Sequence, residues 1–284
     1  MVKACDIQIR DPFVVCEGGL YYLFGSTDSD IWKSSGTGFD VYTSSNLQEF
    51  EGPFAAFRPP SGFFSETNFW APEVHNAGGE YFMFATFLPK AGWHYRCRGT
   101  AVLKSAGGIL GPYEPLSEGT LTPHDWECLD GTLFFEDGVP YMVFCHEWKQ
   151  TGDGEICARA LSASLKEAAG EPFLLFRSSE ARWSYPLKGR APGSYVTDGP
   201  FVWRKDGGGL VMLWSAFGKD GEYCLGAANS ASGHLRGPWT QEDAPRYSAD
   251  GGHGMIFRDA RGLPRIALHS PNKTPQERLV LLPF

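Results

Sequence analysis

The sequence predicts an all-β protein, a single five-bladed β-propeller spanning residues 1–284, on three observations. A hairpin pattern recurs five times, a second pattern recurs between the hairpins, and the composition suits strands and tight turns rather than long helices. The chain of 284 residues holds 35 glycines and 20 prolines, and 42% of it is hydrophobic with 14% aromatic. That is enough apolar surface for a sizeable core and too much for a disordered chain.

The hairpins are DPFVVCEGGLYYLFGS from Asp11, APEVHNAGGEYFMFAT from Ala71, DGTLFFEDGVPYMVFCHEW from Asp130, DGPFVWRKDGGGLVMLWSAF from Asp198 and HGMIFRDARGLPRIALHS from His253. Each is a short apolar strand, a glycine-bearing turn and a second strand richer in aromatic and branched residues. Their start points lie 60, 59, 68 and 55 residues apart. Between them run VYTSSNLQEFEGPF, AVLKSAGGILGPYEP, ARALSASLKEAAGEP and GAANSASGHLRGPW, which supply the third and fourth strands of the first four units. The fifth unit has only PNKTPQERLVLLPF after its hairpin, enough for one more strand, so the first ten residues are expected to help close the ring. A β-sandwich gives no reason for a period near sixty. LSASLKEAAG, at 161–170, is too short for a helix that would matter and reads as a loop.

Composition also narrows the function. The formal charge is −8, with no stripe of Lys or Arg to neutralise phosphates, so nucleic acid is not an expected partner. No apolar run approaches the length of a membrane span, and MVKACDIQIRDPFVV lacks the pattern of a secretory signal, so a soluble, cytoplasmic protein is expected. Seven scattered cysteines lack the close pairs of a zinc site and read as reduced thiols.

In a propeller the first strand of each blade begins near the axis, so its first residue should face one shared funnel. Aligned on their starts, the five units place Asp11, Ala71, Asp130, Asp198 and His253 there. Converging carboxylates repel and raise one another's pKa, an arrangement that suits acid–base chemistry better than structure. Phe69 and Trp70 precede the second hairpin, Trp126 precedes the third and Trp148 ends it, giving apolar walls and platforms for sugar faces. Any one of these tryptophans taken alone reads more readily as core packing between blades. Glu147, flanked by His146 and Trp148, ends a second strand and should return to the same mouth. Glu73, two residues into its strand, reads as a buried contact or pocket wall. Carboxylate pairs with aromatics point to glycoside chemistry.

RDPFV at 10–14, FWAPEV at 69–74, LDGTLFFEDGVPYMVF at 129–144, TDGPFVW at 197–203 and GGHGMIF at 251–257 together resemble the blade-start motifs of glycoside hydrolase family 43. That resemblance covers essentially the whole chain. It implies a five-bladed propeller that hydrolyses arabinosides, xylosides or galactosides with inversion. It implies that Asp11 is the general base, that Asp130 orients the acid and raises its pKa, and that Trp70 lines the sugar pocket. It implies further that His253 approaches a structural calcium, directly or through water, no cofactor being required for the chemistry. The fourth unit departs from the pattern: a glutamate is usual where this chain has Asp198, one methylene shorter, so Glu147 stands beside Asp198 as a second candidate for the acid. The activity implied is removal of terminal α-L-arabinofuranosyl, or related xylosyl or galactofuranosyl, units from oligosaccharides. The alternative is a sugar-binding propeller that has lost catalysis.

Overall fold

The computed structural model describes residues 1–284, whose strands form five antiparallel sheets set as blades around one axis. Blade one holds β1 (Val2–Lys3), β2 (Arg10–Glu17), β3 (Leu20–Ser26), β4 (Phe39–Ser44) and β5 (Glu49–Phe57), and blade two β6 (Ser65–Ala77), β7 (Glu80–Pro89), β8 (Gly99–Ser105) and β9 (Tyr113–Thr120). Blade three holds β10 (Cys128–Glu136), β11 (Val139–His146), β12 (Glu155–Ala160) and β13 (Phe173–Arg177). Blade four holds β14 (Asp198–Arg204), β15 (Leu210–Phe217), β16 (Tyr223–Ser230) and β17 (Thr240–Gln241), and blade five β18 (Gly252–Arg258), β19 (Pro264–Ser270) and β20 (Arg278–Pro283). The five hairpins read from the sequence are the first two strands of the five blades.

The second strands are nearly continuous apolar runs because neighbouring blades cover both of their faces. In β15, Leu210 to Ala216 are all buried, and in β11 Met142 to His146 are. The widest aromatic contact joins blades one and two, where Phe39, Phe57, Phe63, Phe69 and Phe87 pack edge to face or tilted with centroids as close as 4.9 Å. Gly36 is required beside this cluster, since a Cβ there would lie 2.4 Å from the Phe69 ring.

The ring closes by hydrogen bonds between its ends rather than by a shared sheet. Blade five has three strands, and β1 pairs with β5 on the outer edge of blade one instead. The first ten residues nevertheless tie the ends of the ring together. Ile9 N–H donates to the Glu277 carbonyl at 3.2 Å, Arg10 Nη1 donates to Glu277 Oε1 at 3.0 Å, and Arg278 Nε donates to the Cys5 carbonyl at 2.8 Å. All seven cysteines are free, residues 161–170 form turns, and no helix is long and apolar enough to cross a membrane.

Each innermost strand carries a β-bulge, whose first residue is in the left-handed region: Asp11, Ala71, Asp130, Gly199 and His253, with φ of 51°, 47°, 57°, 52° and 49°. A bulge bends the strand and re-aims one side chain, here toward the axis. Four of these residues are held by the blade before them. Ala71 N–H donates to Ser26 Oγ, Asp130 N–H to Thr86 Oγ1 and His253 N–H to Ser215 Oγ, each at 2.8 Å, and Asp11 N–H donates to His269 Nδ1 at 3.1 Å.

This geometry corrects the sequence register in blade four. The residue equivalent to Asp11 is Gly199, and Asp198 is equivalent to Arg10, Trp70, Leu129 and Gly252, the residues just before the bulge. Aligning the acidic residues slipped the unit by one; aligning Pro12, Pro72 and Pro200 recovers the true match.

Candidate active site

Asp11, Asp130, Asp198 and His253 are brought to one hollow of about 320 Å³ at the hub, lined also by Glu147, Trp70 and Trp148. The bulges at Asp11, Asp130 and His253 bring three of these side chains to the axis from three different blades. His253 Nδ1 lies 3.1 Å from Asp11 Oδ1 and 3.7 Å from Asp130 Oδ2, so one imidazole joins the two carboxylates. Gly199 N–H donates to Asp130 Oδ2 at 3.0 Å, which ties Asp130 to the backbone next to Asp198. Tyr223 donates its hydroxyl to Asp198 Oδ2 at 3.0 Å.

These surroundings push the carboxyl groups in opposite directions. Burial works to raise Asp11, but the charges of His253 and Arg10 and the Ser26 hydroxyl bring it below the ordinary carboxylate range. Burial lifts Asp130 to about 7, with Asp198 and Asp11 adding to the rise and His253 and the Gly199 N–H opposing it. Burial and the charge of Glu147 lift Asp198 to about 6 against His253, Tyr223 and Arg10. Asp130 and Asp198 thus hold a proton as a pair, one that the neighbouring Asp11 does not hold. His253 is burdened by burial, yet Asp11, Asp130, Glu73 and Asp198 raise it above an ordinary histidine. His269 is pushed down to about 3 by burial and by the charges of Arg10 and His253. It is therefore neutral, and the nitrogen that accepts the Asp11 N–H carries a lone pair.

Glu147 stands at the mouth between Lys149 Nζ, at 3.3 Å, and Arg98 Nη1, at 3.6 Å. Glu147 Oε2 and Arg98 Nε are both buried without a hydrogen-bond partner. Trp70 carries the Arg98 guanidinium over its ring at 4.6 Å, meets Trp32 edge-on at 5.2 Å and donates Nε1 to the Ile31 carbonyl at 2.7 Å. Trp32 donates Nε1 to Thr274 Oγ1 at 3.2 Å, so loops of blades one and five meet over one side of the hollow. Trp148 and Lys149 open a single helical turn on the other side.

Three residues expected at the sugar, Phe69, Trp126 and His146, face elsewhere, and Glu73 makes a buried contact. Phe69 is buried in the aromatic cluster between blades one and two, because its side chain and that of Trp70 point to opposite sides of β6. Trp126 and His146 stack on each other at 4.1 Å, and His146 is engaged by Glu155 Oε2 at 3.0 Å and Gln150 Oε1 at 2.9 Å. They brace the strand end that carries Glu147 and do not line the hollow. Glu73 pairs with His75 Nε2 at 3.0 Å and reaches the site only through its charge on His253. His253 Nδ1 faces the carboxylates of Asp11 and Asp130, and these side chains are not arranged to hold a metal ion by themselves, so a cation beside His253 would need water or carbonyl oxygens as its other ligands.

Sequence reasoning missed Arg10, Trp32, Arg98, Lys149, Tyr223, Asn272 and Thr274, all of which line the hollow. Arg10 alone had a local signal, next to Asp11 in RDP; the others come from loops or from strands whose pattern is that of ordinary core.

A family model described as glycosyl hydrolases family 43 matches residues 5–282. The chain belongs to that family. Among solved structures it is similar to an endo-arabinase from Bacteroides thetaiotaomicron, with 39% identity and a TM-score of 0.91 over 100% of this chain and 96% of that one. It is 24% identical to Alpha-L-arabinofuranosidase 43 of Humicola insolens over 94% of this chain and 55% of that protein. It is 26% identical to an extracellular exo-alpha-(1->5)-L-arabinofuranosidase of Streptomyces avermitilis over 66% of this chain and 37% of that protein. This family 43 chain thus spans about half the length, or less, of these curated relatives.

Proposed function

We propose that the protein hydrolyses α-L-arabinofuranosyl linkages with inversion, releasing terminal units from short oligosaccharides. The observation that carries this reading is the meeting of three carboxyl groups on one hollow in different surroundings: Asp11 beside His253, Arg10 and the Ser26 hydroxyl, which hold it low, and Asp130 and Asp198 buried and joined through Gly199, which are held high. Two groups with opposed protonation on one cavity are what acid–base hydrolysis of a glycoside needs.

In this mechanism Asp11 takes a proton from water as its oxygen attacks the anomeric carbon. Asp198 gives its proton to the glycosidic oxygen as the carbon–oxygen bond breaks on the opposite side. Asp130 keeps the proton on the pair and orients Asp198 through the Gly199 N–H. Asp198 is favoured over Glu147 as the acid because the Gly199 N–H ties its backbone to Asp130, whereas Glu147 stands at the mouth between two cations. The unpartnered Arg98 Nε and Glu147 Oε2 suit a donor and an acceptor for sugar hydroxyls. A hollow of about 320 Å³, at the small end for small-ligand sites, with the Trp32–Thr274 bridge over one side, supports release from chain ends.

The deciding experiment follows products from debranched arabinan and from nitrophenyl α-L-arabinofuranoside, with the wild type and Asp11→Ala, and with and without chelator. Arabinose as the sole early product, in the inverted configuration by NMR and lost in Asp11→Ala, supports the reading. A ladder of arabino-oligosaccharides would favour internal cleavage, the activity named for the Bacteroides neighbour. Binding without turnover in the wild type would favour the sugar-binding alternative, to which the shorter Asp198 lends support.

A further inference from the structure

Four of the five blade junctions share one device. The residue on the second strand that lies opposite the pre-bulge position reaches forward and accepts the N–H of the next blade's bulge residue. These acceptors are Ser26, Thr86, Ser215 and His269, paired across their own blades with Arg10, Trp70, Asp198 and Gly252. In the third blade the same place, opposite Leu129, is held by Cys145. Its side chain is fully buried beside Thr197, Asp130 and Asp198. A thiol is a weak acceptor. The N–H it would have received, that of Gly199, goes to Asp130 Oδ2 at 3.0 Å.

We infer that Cys145 is a positioning residue for the reaction: by offering no good acceptor, it leaves the Gly199 N–H to Asp130 and so couples the third-blade carboxylate to the backbone that carries Asp198. A hydroxyl at this position would restore the junction used elsewhere and release Asp130. A buried N–H must find some acceptor, so the choice is between the side chain at 145 and the carboxylate. The charged groups that face Asp130 are His253 from β18, Asp198 from β14 and Asp11 from β2. Asp198 in turn faces Glu147 beyond β11, Tyr223 from β16, Arg10 from β2 and His253. None of these would be altered by a change at 145. Withdrawing the N–H makes ionised Asp130 less favourable, so the pair keeps its proton to higher pH and that proton rests more on Asp130 than on Asp198.

The test compares Cys145→Ser with Cys145→Ala, and it rests for its kinetic arm on the proposed hydrolysis. Cys145→Ser should lower kcat by roughly three- to tenfold with KM little changed, and move the alkaline limb of kcat/KM up by roughly half a pH unit. Cys145→Ala, which adds no acceptor, should keep the limb of the wild type. Identical profiles for the two variants would overturn the inference. A second arm needs no turnover: the Gly199 amide proton, followed by NMR, should titrate with the Asp130–Asp198 pair in the wild type and in Cys145→Ala and lose that response in Cys145→Ser. An amide that stays still in the wild type from pH 5 to pH 8, or that titrates alike in all three proteins, sinks the idea even if the enzyme is active, and its loss in Cys145→Ser alone sustains it even if arabinosides are not the substrate.

Discussion

At Asp11 and Asp198, two carboxyl groups in one hollow behave differently because their neighbours differ. Asp11 has an imidazole and a guanidinium beside it, whereas Asp198 has the charge of Glu147. The rate should therefore follow a bell, with an acidic limb below the usual carboxylate range from Asp11 and an alkaline limb between about 6 and 7 from the Asp130–Asp198 pair. Asp198→Asn should cut kcat/KM on a poor leaving group by about 10²- to 10⁴-fold and much less on nitrophenolate, which needs no proton. The same substitution should stabilise. A carboxyl whose folded pKa lies above its unfolded value binds more protons folded than unfolded between the two, so stability falls as pH rises from about 4 toward 6. The melting temperature of Asp198→Asn should exceed that of the wild type by a few degrees at pH 8 and by little at pH 4. Equal differences at both pH values would show that the raised pKa has another origin.

Within the elements, the bulge at the head of each inner strand does most to shape the site. At Gly199 the φ is +52°, and a Cβ would sit 2.7 Å from the His253 ring. Gly199→Ala should therefore strain both the backbone and the imidazole that joins Asp11 to Asp130, costing about 1–3 kcal/mol in unfolding and more than tenfold in turnover. The blades themselves were legible in the sequence, because strand period and turn residues recur and a hairpin is a local object. The bulge was legible only to the nearest residue. It adds one residue to one strand, so acidic residues in DPF and DGP look equivalent when they are not, and only the prolines mark the offset. Phe69, Trp126 and His146 were misplaced for a related reason: adjacency to a site residue says nothing about which face of the strand a ring occupies. Arg98 and Trp32 belong to loops with no pattern at all, and only the folded ring brings them to the carboxylates.

Across the whole molecule, each blade is one unbroken stretch of chain, and the seam between the first and last blades depends on Arg10 and Glu277. Their side chains are 9% and 0% exposed, and Arg10 Nη1 also donates to Asn272 Oδ1 at 2.7 Å. Glu277→Gln would remove a charged hydrogen bond from a buried guanidinium and leave Asp11 as its remaining counter-charge, a loss of roughly 1.5–3 kcal/mol in denaturant titration. Breaking the exposed Arg182–Asp243 pair, with side chains 85% and 88% exposed, should change stability little. If the two substitutions cost the same, the seam is not what holds the ring shut.

Arg10 and Asp11 are neighbours in the chain, so the fastening of the ring and the proposed activation of water share a single dipeptide. On the proposed mechanism, opening that joint would draw Asp11 away from the hollow at the same instant. In rising urea, activity should vanish before the far-ultraviolet signal of the strands begins to fade. A molecule sprung at this one point would still look folded and yet be silent.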